Sequence, residues 1–325
     1  MIGRTRGSWI TAVTVLAAFA GSAWLAGCGG GKIATRTEET IPPGTASKAQ
    51  LIAELKSRME GVYTLTAKAH VEMVDQAEER DGRFPTTEVN GQLLLKRAPD
   101  GKRQVRFSAQ TLFPPANFTF LGRNEDFWIL MPDFAKNPAR DGKEGTVYIG
   151  KAPRDELRSR ESFSYRPQDL ADVFLVDEVF DRTAIVYMET WKPYYILHFL
   201  RPDRPENIYS KIWINRISGD MSVHQIFDRS GVLLVEGRFR DYQERKSEAG
   251  EFSVRLPTKF SVIWPRDKLV LNGELDNLKL NNQVRDQAFD PVLPRKYRIF
   301  KLRGEDEAPS DSADDRSPSS PPLGD

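Results

Sequence analysis

The side chains that could do chemistry are few and scattered. Cys28 is the only cysteine of the 325 residues. A lone thiol can attack a substrate, bind a metal or carry a covalent group, but it cannot close an internal disulfide. The three histidines, His70, His198 and His224, lie far apart, each in a strand-like stretch. His70 and Glu72 share one strand face. Two ligands are too few for a metal site, and a solvated face is the better reading. Asp169, Asp172, Asp177 and Glu178 form a dense carboxylate group, at spacings expected of a solvated helix face. The run Gly145 to Lys151 begins like a phosphate loop. Ala152 then stands where Ser or Thr is required, and the intervening residues alternate as a strand does. There is no Gly-x-Ser-x-Gly elbow. No enzyme is expected from these residues.

The residues before Cys28 explain its role. Arg4 and Arg6 are followed by an uncharged run from Gly7 to Gly31, with Ile10, Val13, Val15, Leu16 and Phe19 as its apolar core. This is signal-peptide architecture, the alternative being an uncut N-terminal anchor helix. The ending, Leu25-Ala26-Gly27-Cys28, resembles the bacterial lipobox. The resemblance implies cleavage after residue 27 and a Cys28 that becomes the acylated N-terminus of a lipoprotein, carrying diacylglycerol and an N-acyl chain. No other cofactor and no metal is expected. Each acyl CH₂ buried in a bilayer contributes about 0.8 kcal/mol, so two or three chains anchor stably. Gly29, where an Asp would signal inner-membrane retention under the enteric sorting rule, favours the outer membrane, facing the periplasm.

Elements that would follow the anchor can be read from pattern. Residues 28–46, with Gly29-Gly30-Gly31 and Pro42-Pro43, read as a flexible tether. Ser47 or Thr45 caps a helix beginning near Lys48, with Leu51, Ile52, Leu55, Met59 and Val62 on one face and Gly61 at its end. It is expected to cover a sheet, or to act as a lid over a cavity. From Leu65 the period becomes two, and strand-like runs recur: 65–73, 89–97, 103–112, 117–121, 126–131, 146–150, 184–190, 194–200, 208–217, 221–227, 232–242, 254–264 and 269–280. Pro167 begins a second short helix with Leu170, Val173 and Phe174 on its apolar side. Residues 304–325, with seven acids and one base, read as a disordered tail. The expected organisation is a leader at 1–27, a tether at 28–46, one domain at 47–303 and the tail. The formal net charge of +1 hides no dense basic stripe, so no nucleic acid is expected as a partner.

The stretch Ile212-Trp213-Ile214-Asn215-Arg216, the turn after it, and Val223-His224-Gln225-Ile226-Phe227-Asp228-Arg229-Ser230-Gly231 resemble the late hairpins of the LolA/LolB-like superfamily of lipoprotein-sorting proteins. Phe239-Arg240-Asp241-Tyr242, Leu256-Pro257 and Phe289-Asp290-Pro291 are similar too, as is Gly91-Gln92-Leu93-Leu94-Leu95-Lys96-Arg97 near the start. The likeness covers most of 48–294, and the insert at about 132–168 departs from it. It implies a mainly β, α+β fold: a strongly curved open antiparallel sheet, or half-barrel, capped by two or three helices. It also implies an apolar concave face that holds acyl chains.

Strands apolar on both faces, such as 118–121, 127–130 and 212–214, need cover on both sides or a ligand. Phe118, Phe120, Trp128, Trp213 and Trp264 are the candidate groove lining, ordinary core packing being the other reading. Tyr194-Tyr195 after Pro193 reads as an exposed aromatic edge or as plain strand residues. Two functions stay open. One is a monomeric lipid-anchored envelope protein that carries acyl chains or lipoproteins in the groove, for transport or envelope assembly. The other is a non-catalytic structural or docking lipoprotein with a filled half-barrel.

Overall fold

The computed structural model describes residues 46–75, 87–98, 102–111, 116–132, 144–151, 166–176, 178–181, 183–248, 250 and 252–302. The leader, Leu25-Ala26-Gly27-Cys28, the tether, the acidic tail, Asp177 and much of the 132–168 insert lie outside the described residues.

Fourteen strands form one sheet among the described residues. They are β1 (Thr64–Asp75), β2 (Thr87–Arg97), β3 (Arg103–Thr111), β4 (Ala116–Arg123), β5 (Asp126–Pro132), β6 (Gly145–Lys151), β7 (Ile185–Trp191), β8 (Tyr194–Arg201), β9 (Arg204–Asn215), β10 (Met221–Phe227), β11 (Leu233–Lys246), β12 (Ser253–Trp264), β13 (Leu269–Leu280) and β14 (Tyr297–Lys301). Two antiparallel meanders, β1–β6 and β7–β13, meet where β1 pairs with β13, with Leu65 opposite Leu280 and Met73 opposite Leu271. The result is the expected open, curved sheet with helices on one face. β14 is an addition to the expected strands. It pairs in parallel with β6, Ile299 opposite Val147, and leaves β7 at the other edge.

Period-two alternation gives the sheet an inner and an outer face. Ala67, Ala69 and Val71 on β1, Leu93 and Leu95 on β2, Val105 and Phe107 on β3, and Leu271 and Leu275 on β13 are buried together inside. Helix α1 (Lys48–Glu60) lays Leu51, Leu55 and Met59 on that face. Its start is set by a capping box: the Ser47 hydroxyl accepts from the Gln50 N–H, and the Gln50 side chain accepts from the Ser47 N–H. Past its end, Asn281 clasps the chain. Its Oδ1 accepts from the N–H groups of Tyr63 (2.9 Å) and Thr64 (3.3 Å), and its Nδ2 donates to the Gly61 carbonyl at 2.7 Å.

Helix α2 (Pro167–Phe174) sits deeper, and every one of its residues is buried. Two glycines make room for it. A Cβ on Gly122 of β4 would stand 2.7 Å from the Gln168 side chain, and one on Gly237 of β11 would stand 2.8 Å from the Val173 Cβ. Phe174 meets Phe239 and Phe260 edge to face, at centroid distances of 5.0 and 5.2 Å.

The outer face has a smaller cover of its own. The 3-10 turn Asp286–Phe289 lies over β3 and β4, and Phe289 is fully buried there. Arg106 donates to the Ala288 carbonyl at 2.8 Å, and Arg123 pairs with Asp290 at 2.6 Å.

Candidate functional site

The half-barrel interior is where a ligand would sit, and α2 brings its polar groups there. The Asp169 and Asp172 pair, expected on a solvated helix face, is buried. The reason is tertiary: α2 lies inside the sheet, and arginines from two elements meet its carboxylates. The Arg166 guanidinium lies 2.8 Å from Asp169 and 3.2 Å from Asp172, and Arg103 of β3 pairs with Asp172. Asp169 also accepts from the Arg166 backbone N–H and, at 2.9 Å, from the indole N–H of Trp264. In these pairs both carboxylates face guanidinium groups. Carboxylates held this way are engaged as a clamp, a poor starting point for a general base.

Some other polar groups inside are bonded as well, while Gln168 Oε1 and the Tyr195 hydroxyl are buried without a partner among the described residues. Gln168 donates from Nε2 to the carbonyls of Asn124 (3.1 Å) and Asp126 (2.8 Å). His224, fully buried on β10, has Nδ1 3.2 Å from the Val173 carbonyl and Nε2 3.1 Å from the Ser210 hydroxyl. A carbonyl only accepts, so Nδ1 carries a proton, and the neutral ring can accept from Ser210 through Nε2. His198 sits on the outer face beside Glu189 at 3.2 Å, its pKa lowered chiefly by burial and then by Lys211. His70 pairs with Asn90 at 2.9 Å. Among the described residues no group of three or more His, Cys, Asp or Glu is placed to hold a metal ion. The 145–151 run is a plain strand, β6.

Among the described residues the apolar side chains of the interior pack against one another in one cluster. Under α1 a crevice of about 20 Å³ remains, lined by Leu55, Met59, Val62, Leu65, Phe174 and Met221, with Tyr242 and Arg255 nearby. That is room for roughly one water and not for an acyl chain. The larger void, about 790 Å³, is an open polar trough around Lys68, Gln92, Arg245, Asp276 and Lys279, chemically unsuited to hydrocarbon.

The five candidate lining residues divide between the faces. Phe118 and Phe120 on β4 and Trp264 on β12 point inward. The two phenylalanines lie 5.3 Å apart and pack against Phe107 at 5.5 and 6.3 Å. Trp128 is paired with Leu121 and alternates with buried Phe127 and Ile129, so it faces outward. Trp213 likewise alternates with buried Ile212 and Ile214 and faces outward. There it meets Trp191 at 5.4 Å and Tyr194 at 5.6 Å, both edge to face. Tyr195, expected as part of an exposed edge, is buried inside beneath the Arg216 guanidinium at 5.2 Å. Tyr194 alone of that pair belongs to the outer cluster.

No protein-family model matches the chain, and no curated protein matches its sequence. Solved structures do. The chain is similar to a DUF1329 family protein from Desulfovibrio piger, with 13% identity over 74% of this chain and 94% of that one, at a TM-score of 0.46. It is similar to a LolA superfamily protein from Nitrosomonas europaea, with 15% identity over 76% and 99% of the two chains, at 0.43. An outer membrane lipoprotein-sorting domain from Vibrio parahaemolyticus shares 11% identity over 74% and 95%, also at 0.43. Identity is low in all three.

Proposed function

We propose that this chain is a lipid-anchored, periplasm-facing envelope protein, held in the outer membrane through Cys28, whose filled half-barrel serves as a non-catalytic docking platform. What supports a platform over a carrier is the cover on the concave face: among the described residues α1 and α2 pack on it, and the crevice of about 20 Å³ beneath α1 admits no acyl chain. The engagement of Asp169 and Asp172 by Arg103 and Arg166 supports the non-catalytic part. Partners then meet the outer face and the free edge of β7, and the domain works as a monomer.

A second reading is acyl-chain or lipoprotein carriage after α1 lifts. It is favoured by the crevice itself, whose lining is mostly apolar and lies directly under α1. Native mass spectrometry of the gently purified protein, with a fluorescent fatty-acid titration, separates the two. The platform reading expects no lipid adduct and no saturable probe uptake. A stoichiometric acyl adduct would overturn it in favour of carriage.

A further inference from the structure

The hairpin tips at the β7 end of the sheet carry a group of exposed aromatic and aliphatic side chains that the fold does not use. Trp191 is 55% exposed, and Ile217 in the β9–β10 turn is 64% exposed. The two turns are joined, since the Arg216 N–H donates to the Pro193 carbonyl at 3.0 Å. Trp191 and Tyr194 close over Trp213, whose Nε1–H is screened and has no acceptor among the described residues. One exposed cation, Lys192, stands at the same tip, while the Arg216 guanidinium turns to the other face over Tyr195. The carboxylates nearby are engaged: Asp220 with Arg255 at 3.0 Å and Arg58 at 3.6 Å, Glu189 with His198.

We infer that this tip seats in the headgroup layer of an anionic phospholipid bilayer. Trp and Tyr, with an apolar ring and one polar atom, prefer that layer, and a Lys beside them attracts its anionic lipids. A buried indole N–H without a partner is suited to a lipid ester carbonyl once Trp191 moves aside. The position of the chain entry fits. Lys48 donates to the Val186 carbonyl at 2.8 Å, so α1 begins beside the start of β7. Trp191 lies five residues further along that strand, about 16 Å away. Seventeen residues lie between Cys28 and Ala46, a span of at most about 65 Å. An anchor at Cys28 therefore holds the tip within reach of the bilayer at high effective concentration. A Phe- and Leu-rich patch without cations would instead suit a protein partner.

The inference rests on the lipid anchor of the proposed function, and its test distinguishes the two. The full-length protein is incorporated in phosphatidylcholine–phosphatidylglycerol vesicles whose acyl chains are brominated, and quenching of tryptophan emission is read. The expected result is a quenched component that is lost in Trp191→Phe/Trp213→Phe and kept in Trp128→Phe. It should also weaken in Lys192→Glu. If the protein floats with the vesicles but quenching is the same in wild type and in the Trp191→Phe/Trp213→Phe variant, the inference is overturned and the patch is left to a protein partner. If it does not float at all, the anchor fails as well.

Discussion

The indole N–H of Trp264 on β12 donates to Oδ2 of Asp169 on α2 at 2.9 Å, in the closed interior of the half-barrel. This bond ties the late meander to a helix whose charges are neutralised by Arg103 of the early one. One cluster therefore holds both halves of the sheet around α2.

Asp169→Asn tests that clamp. It removes the charge opposing Arg166 but keeps the shape, and leaving a buried cation uncompensated costs about 3–5 kcal/mol. Urea unfolding should show a lower midpoint at unchanged slope. Glu54→Ala, which deletes the exposed i,i+4 partner of Arg58 at 2.5 Å, should cost under about 0.5 kcal/mol. Equal losses for the two would refute the clamp.

Gly237→Ala tests the close approach of α2. The added methyl would lie 2.8 Å from both the Val173 Cβ and the Phe239 ring. Overpacking of this kind costs about 1–3 kcal/mol. Thermal unfolding should register the loss, and a neutral outcome would mean that α2 is seated more loosely than its contacts imply.

Tyr242 gives an alkaline limit. Burial, aided by Asp220, raises its pKa well above the usual 10, and its hydroxyl donates to the Met221 carbonyl at 2.5 Å. Below pH 10 the phenol is neutral folded and unfolded, and its contribution is fully present. Above pH 10 the unfolded chain ionises first, so stability falls as pH rises. Stability against pH should slope downward there, and Tyr242→Phe should flatten that slope while losing the hydrogen bond at neutral pH.

Cys28→Ser tests the anchor. Metabolic labelling with a radioactive fatty acid should vanish, and the protein should leave the membrane fraction. Undiminished labelling would show that the acyl group sits elsewhere.

Much of the sheet was legible because alternation survives in the chain: the runs at 89–97, 126–131, 194–200 and 269–280 match β2, β5, β8 and β13 to within a residue or two. β14 was not legible, since its five residues are half-buried or exposed and its partner β6 lies about 150 residues earlier. The placement of α2 was hidden too. Asp169 and Asp172 carry no local sign of burial, because Arg103, which neutralises Asp172, comes from 69 residues away. Trp213 and Trp128 sit in strands apolar on both faces, so side-chain type alone could not say which face was inside. Parity against Ile212 and Ile129 decides it once the inner face is known. The outer aromatic cluster had a partial signal in Tyr194, but its partners Trp191 and Trp213 come from two other strands.

The chain enters the domain through α1, which is also the inner cover, and the Asn281 clasp lies just beyond it. A pull on the residues before Ala46 meets the Ser47 capping box and the bond from Lys48 to the Val186 carbonyl of β7 first, then the Leu51, Leu55 and Met59 contacts. Load from the N-terminal side thus falls on the inner cover, and on the Asn281 clasp behind it.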